Sequence, residues 1–329
     1  MKKTIFAPIA MAAAIAFLAP SGQVLASEIT IKVGHGAAEG YHMHKAWLKF
    51  KELMEKNSGG RFEVDIYPNG QVGGDRELTE AVQQGIVDMT CPVIEVMAGW
   101  DPNFALPGLP FMFKDRADAL KALYGKFGDM LLARAQKYGI VGLGYMENGI
   151  RQITSNKCPI EHPSDLKGVK IRTMQVQAHM DAFKAMGANP TAMSFNEVYS
   201  ALQQKVVDAE ENPLGHIVSS KFYEVQKCMT LSSHVYSTHM VLANPEFFNS
   251  LSEADQKLVR ESLKSAIDYQ QQVIDDEEQK QIKLIEDAGV TVTRLTPEER
   301  KEFEDITRPV VETYLKKADP EVVKALEER

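Results

Sequence analysis

The sequence predicts an α/β protein made of two related domains with mostly parallel strand pairing, and three observations predict it. Strands of period two alternate with amphipathic helices from Glu28 onward. A helix–turn–strand unit ending in Val-Asp recurs at an offset of 120 residues: Ala81-Val82-Gln83-Gln84-Gly85-Ile86-Val87-Asp88 is echoed by Ala201-Leu202-Gln203-Gln204-Lys205-Val206-Val207-Asp208. Glu77 and Glu197 extend the echo upstream. Finally, a helical stretch opens at Ser252 and meets no Gly or Pro before Gly289. At 1.5 Å per residue its ~33 residues span about 50 Å, more than one small domain is wide, so the helix is expected to cross both domains.

Before the first strand, the sequence reads as an export signal. Lys2 and Lys3 precede an apolar run from Ile5 to Ala19 that is too short to span a bilayer, and Val24-Leu25-Ala26 supplies small residues for cleavage before Ser27. The first cysteine, Cys91, lies far from that point, which argues against a lipid-anchored N-terminus. Taking these 26 residues and their two lysines from a 329-residue chain of net charge −8 leaves 303 residues at −10. That length favours two cores. The acidic balance argues against a nucleic-acid partner, and it makes any cluster of arginines a local positive island.

Glu28–Val33 alternates as a half-buried strand and ends at Gly34-His35-Gly36, where the backbone can approach a ligand closely. A helix from about His42 to Lys56 carries Trp47, Phe50 and Met54 on one stripe and stops at Ser58-Gly59-Gly60. Phe62–Tyr67 alternates again, followed by a helix from about Asp75 to Gln84 and a strand from Ile86 to Met89. Ala105–Phe113, with prolines at 107 and 110, cannot be regular and is expected to pack into a core or a cleft wall. One helix is predicted over 116–137, then a buried strand from Ile140 to Tyr145. The pattern restarts after Gly149. A helix from Gln177 to Met186 follows, and Ser194-Phe195-Asn196-Glu197 reads as a capping box opening the next helix. His239–Asn244 is another strand, and Gly289–Thr293 a short one. The expected division is 27–149 with 239–278 as the first domain, and 150–238 with 279–329 as the second.

Three cysteines make no disulfide framework. They read as small buried hydrophobes, with a Cys158–Cys228 bridge open if the fold brings the two together. His42 and His44 on a helix point apart and have no third partner, so no metal is expected, and no cofactor motif is present. Asp88 and Asp208, at equivalent positions in the echo, read as structural.

The chemistry concentrates between Met146 and Gly215. Arg151 and Arg172 each sit at the edge of a short β-type run, and Glu210-Glu211-Asn212-Pro213 closes another. A guanidinium grips a carboxylate with two parallel charge-assisted hydrogen bonds. The segment therefore reads as the anion-gripping half of a cleft that captures and carries a small organic acid without transforming it. An enzyme using Glu211 or a histidine as base is the rival reading. Against it, adjacent carboxylates on a strand face opposite sides, and no nucleophile or phosphate-loop motif is found.

Six stretches carry a family resemblance: Tyr67–Arg76 (YPNGQVGGDR), Asn148–Gln152 (NGIRQ), Asp165–Arg172 (DLKGVKIR), Phe195–Gln203 (FNEVYSALQ), Val207–Pro213 (VDAEENP) and Lys221–Lys227 (KFYEVQK). Over essentially the whole chain beyond the signal, it resembles the DctP family, the solute-binding subunits of tripartite ATP-independent periplasmic (TRAP) transporters. The resemblance implies a two-lobed periplasmic binding protein fold that closes over its ligand, a periplasmic location and a membrane permease as partner; the oligomeric state is open, with a monomer as the default. A binding protein serving a sensor kinase is the alternative within this class. It further implies that Arg172 makes a bidentate salt bridge with the ligand carboxylate, with Arg151 beside it and Asn212 and Phe195 in contact. Specificity contacts are implied near His35 and Glu39 and near Cys91–Glu95. Glu211, His234 and Tyr236 complete the candidate ligand-binding set. Cys91-Pro92-Val93 stands where relatives that bind sialic acid carry polar or charged contacts, which implies a smaller or less hydroxylated acid.

Overall fold

The computed structural model of the chain describes residues 28–329, so the predicted export signal lies outside the described residues. β1 (Ile29–Gly34) buries Ile31 and Val33 on one face. α1 (His42–Asn57) lays Trp47, Phe50 and Met54 over it and leads to β2 (Phe62–Tyr67), parallel to β1. α2 (Asp75–Gln83) then leads to β3 (Met89–Thr90), parallel to β1 on its other side. The strand expected from Ile86 shrinks to these two residues. The Pro-rich apolar run packs as expected: Pro102–Gly108 forms a short 3₁₀ segment whose Phe104 and Leu106 are fully buried. The helix predicted over 116–137 is broken in two, α3 (Arg116–Leu123) and α4 (Lys126–Ala135). Gly125 caps the second, and a Cβ on Gly128 would fall 1.7 Å from the Leu123 carbonyl oxygen, so the two glycines permit a sharp turn that a continuous helix lacks.

β4 (Val141–Ser155) is more than twice the length read from the sequence. It continues past Gly149, whose φ of 122° accommodates a register shift beside it. β5 (Lys170–Thr173), α5 (Gln177–Ala185), β6 (Asn189–Ala192), α6 (Val198–Gln203), β7 (Ala209–Pro213) and α7 (Leu214–Ser219) build the second lobe. β8 (Cys228–Ala243) returns antiparallel to β4, starting eleven residues before the predicted strand because its polar run, with Ser232, Ser237 and Thr238, is buried between lobes. The sheet order is β2-β1-β3-β8-β4-β7-β5-β6, so β4 and β8 belong to both lobes. At their far end Cys158 and Cys228 form a disulfide with Cα atoms 6.1 Å apart, whereas the sequence favoured three free thiols. Closing a loop of that separation, 70 residues, is worth roughly 4 kcal/mol in the chain-entropy account.

α8 (Pro245–Ser250) precedes α9 (Glu253–Asp287), whose 35 residues are capped by Ser252 accepting the Asp255 N–H. α9 buries Val259, Leu263 and Ile267 against Trp47 and Phe50 in one lobe, and Ile282 and Ile285 against Leu202 and Phe222 in the other. β9 (Thr291–Arg294) runs parallel to the start of β8. α10 (Pro297–Leu315) sends Phe303 into the second-lobe core beside Phe183. α11 (Pro320–Glu327) crosses back: Val322, Ala325 and Leu326 join Phe104, Leu106 and Leu131. The C-terminal segment, expected wholly in the second domain, therefore packs on both lobes.

The sequence echo is structural. Asp88 donates its N–H to the Lys32 carbonyl and accepts the Lys32 N–H on its carboxylate. Asp208 does the same with Lys170. The Ile86 N–H bonds to Ala81 as the Val206 N–H bonds to Ala201, each at 2.9 Å. The capping box is not formed, however. Ser194 makes no side-chain cap, because its hydroxyl lies against Gly74 of the other lobe. In the echo the left-handed turn falls on Gly85 (φ 70°) in one copy and on exposed Lys205 (φ 60°) in the other. A non-glycine residue there costs about 1–2 kcal/mol, offset in part by the unfolded-state freedom a glycine adds. Lys205→Gly is expected to raise unfolding free energy by about 0.5–1 kcal/mol, measured by urea denaturation.

Candidate functional site

A small cavity lies between the lobes. The loop after β1, the start of α2, β4, β5, the Phe195 turn, β7, α7 and β8 all reach it. The lobes touch around it. Arg76 donates to the Gln175 carbonyl at 2.9 Å, and the Tyr41 ring stacks on His216 at 3.8 Å. A Cβ on Gly70 would lie 2.1 Å from the Asn196 amide, and Gly70 has a φ of 66°. Its glycine allows both the turn and the approach.

Arg172, on β5, is 2% exposed. Its Nε and Nη2 donate to the Met193 carbonyl at 3.0 and 2.8 Å. Its Nη1 is buried without a hydrogen-bond partner, and among the described residues no carboxylate pairs with it. The Phe195 ring centroid lies 6.0 Å from its Cζ. Burial pulls the guanidinium down to about 10, against the upward pull of Glu211, so it remains a cation at neutral pH.

Arg151, on β4, is fully buried and its charge is answered by a carboxylate, although its Nη1, like that of Arg172, has no hydrogen-bond partner. Its Nε and Nη2 reach the Glu211 carboxylate, with Nη2–Oε1 at 2.9 Å, and Nη2 also donates to Asn212 Oδ1 at 3.1 Å. Burial pushes Glu211 up, but Arg151 and the His234 contact outweigh it and hold the carboxyl well below its usual range. His234 Nε2 lies 3.3 Å from Glu211, and its Nδ1 lies 2.8 Å from Ser232 Oγ. The neighbouring Glu210 takes Thr154 Oγ1 at 2.6 Å and the Asn212 amide at 2.5 Å, and burial raises it to about 7.

Of the residues singled out from the sequence, Arg172, Arg151, Asn212 and Phe195 line the cavity together. Glu211 and His234 stand behind Arg151. Three others are not among the lining residues. His35 is buried against His44 (Nε2–Nδ1 3.0 Å), Glu39 is exposed beside Asn69, and the Tyr236 hydroxyl donates to Glu147 at 3.2 Å. Near Cys91, Val93 lines the cavity while Cys91 itself is buried under Trp47. Asp75, His216 and His239 also line it and were not singled out. Asp75 begins a helix that the sequence does show. His216 and His239 carry no motif, and only the fold gathers them.

These charges differ in what they ask of the protein. Removing Arg151 leaves Glu211 buried with only the His234 contact to answer it. Arg151→Met is therefore expected to lower stability by about 3–5 kcal/mol, while Arg172→Met leaves the unliganded protein at least as stable, both read by chemical denaturation. Glu95 is 1% exposed with both carboxylate oxygens unpartnered, and burial raises it to about 8 from 4.5. The native chain keeps a proton there that the unfolded chain loses, so Glu95 lowers stability as pH rises from about 4.5 to 8. Thermal melts of Glu95→Gln should match wild type near pH 4.5 and exceed it increasingly above, by up to ~1.4 kcal/mol per pH unit.

Known proteins share this fold and much of this sequence. The 2,3-diketo-L-gulonate-binding periplasmic protein of Escherichia coli (strain K12) is 36% identical over 276 residues, 84% of each chain. A TRAP periplasmic solute-binding protein from Shewanella oneidensis, solved with bound succinate, is 32% identical with a TM-score of 0.88, covering 91% of this chain and 98% of that one. The sugar acid binding protein from Advenella mimigardefordensis, solved with galactonate, is 33% identical with a TM-score of 0.89, covering 92% and 98%. The family model for bacterial extracellular solute-binding protein, family 7 (DctP), matches residues 33–317, and the chain belongs to that family.

Proposed function

We propose that this chain is an extracytoplasmic receptor that captures a small organic acid on Arg172 in the periplasm and delivers it to a TRAP-type membrane permease. The family consists of solute-binding receptors for transporters, not enzymes. One observation carries the reading: Arg172 is a buried cation with an unpartnered Nη1 at the wall of an interlobe cavity, beside an arginine already neutralised by Glu211. A ligand carboxylate supplies the missing negative charge, and in a site shielded from water that attraction is strengthened. Asn212 and Phe195 contact the ligand. Glu211 and His234 act through Arg151, which they hold in place, while His35 and Tyr236 support the walls and Glu39 sits at the rim.

The lobes open and close about β4 and β8 near Gly149, with 27–149 and 239–278 moving against 150–238 and the segment after 279, while α11 rides on the first lobe. Delivery requires the permease to recognise the closed form. The test is a thermal-shift screen of small organic acids, each against its amide or alcohol analogue. A stabilising acid whose neutral analogue has no effect supports the reading. A neutral or cationic solute as the only hit overturns it. Arg172→Ala is expected to weaken binding of that acid by about 2–5 kcal/mol, since the bound anion loses its partner. Arg172→Lys should also bind poorly, because an ammonium cannot reproduce the fork. Isothermal titration calorimetry measures both.

A further inference from the structure

We propose that His216 and His239 make this receptor selective for a monocarboxylate bearing hydroxyl or keto groups, against dicarboxylates of the same chain length. The inference rests on the receptor reading above and extends it to the ligand class.

The argument is a charge inventory of the cavity. Its lining holds two cations, Arg172 and Arg151, and one carboxyl, Asp75. The charge of Arg151 is already matched by Glu211, so Arg172 is the one cation of the lining without a carboxylate partner, and Arg151 offers a ligand only its unpartnered Nη1 N–H. The first carboxylate of any ligand takes Arg172. A second carboxylate would find no cation whose charge is unmatched, and it would share the cavity with Asp75.

What the remaining wall offers is neutral. His216 comes from α7 and His239 from β8, and each has a buried Nδ1 with no hydrogen-bond partner. His216 is fixed in plane, stacked on Tyr41 at 3.8 Å and 12°, with the Phe195 ring 4.5 Å away. His239 sits on the crossing strand opposite Met146, bridged to Val93. Burial keeps both imidazoles well below their usual range, and Arg151 adds to the effect on both. A neutral imidazole gives one donor and one acceptor, which suits a hydroxyl or a carbonyl. It gives no countercharge to a carboxylate unless it gains a proton beside two guanidinium groups. A ligand hydroxyl or keto oxygen would therefore satisfy buried polar atoms that a plain hydrocarbon chain leaves unpaired, which is the strongest basis for selectivity between small molecules of similar size.

The experiment is calorimetric titration of the mature protein with aldonates of four to six carbons, each paired with the unsubstituted diacid of that length: succinate, glutarate and adipate. We expect at least one aldonate to bind more than about tenfold tighter than its matched diacid. His216→Leu and His239→Leu should each reduce that preference several-fold, and His239→Gln, which keeps a donor and an acceptor, should retain more of it. Melting temperatures and the affinity of an unsubstituted monoacid serve as controls for folding and for Arg172. A diacid that binds as tightly as its aldonate overturns the selectivity and leaves the receptor reading standing. Leucine variants that bind aldonates normally overturn the role of the histidines. Failure of every acid to bind would reject the receptor reading, and this inference with it.

Discussion

A guanidinium in a protein interior costs several kcal/mol unless a negative group answers it. The two arginines of this cleft meet that condition in opposite ways. Arg151 is answered within the chain by Glu211, itself braced by His234, so the pair belongs to the framework. Arg172 is held by one carbonyl, that of Met193, and by the nearby face of Phe195. A carbonyl dipole fixes the orientation of the fork without discharging it. The framework pair thus positions the wall, and under the proposed function the arginine without a carboxylate partner is the group that takes the anion. Were Glu211 shared between both arginines, the cleft would be electrically satisfied and would have little reason to prefer an acid.

The fold that holds these groups depends on two strands serving two lobes. β4 carries Arg151 and β8 carries His234, Tyr236 and His239. Alternation along β8 decides which of them reach the cavity. His239 is three residues from Tyr236 and so points to the other face, which takes Tyr236 to Glu147 and leaves His239 in the lining. Ser233, at a φ of 45° within the irregular stretch between the two runs of β4–β8 pairing, marks where the strand is re-aimed and His234 meets Glu211 instead. A one-residue slip in either strand would exchange a binding group for a structural one.

Much of this was legible in the sequence, and the limits were physical. The long helix declared itself by an unbroken run without Gly or Pro. The two-domain echo declared itself by residues whose hydrogen bonds prove identical in both copies, Asp88 with Lys32 and Asp208 with Lys170. Arg172 and Asn212 stood inside recognisable motifs. The crossing strands were cut short because Gly149 and the run from Ser232 to Thr238 look like turns when the burial that tolerates them is unseen. Cys158 and Cys228 lie 70 residues apart, and only the β4–β8 register brings them together. His216 and His239 gave no signal because a neutral imidazole in a pocket wall needs neither spacing nor motif; α7 and β8 had to converge on the cavity before either could be read.

The unanswered charge also suggests why the proposed closure should wait for ligand. A ligand shifts a conformational equilibrium only by its difference in affinity for the two states. In an open cleft Arg172 is hydrated, and an anion gains little from it, since exposed ion pairs are worth about 0–1 kcal/mol. In the closed arrangement seen here, with Tyr41 stacked on His216 and Arg76 bonded across to Gln175, the same guanidinium is 2% exposed. Closing without an anion leaves a desolvated, unpaired cation; under the proposed function, closing with one converts that cost into a shielded ion pair. Most of the electrostatic gain from the ligand therefore falls in the closed state alone. The interlobe contacts contribute the same closing energy in either case, so discrimination between empty and loaded receptor rests on Arg172 rather than on the size of the interface.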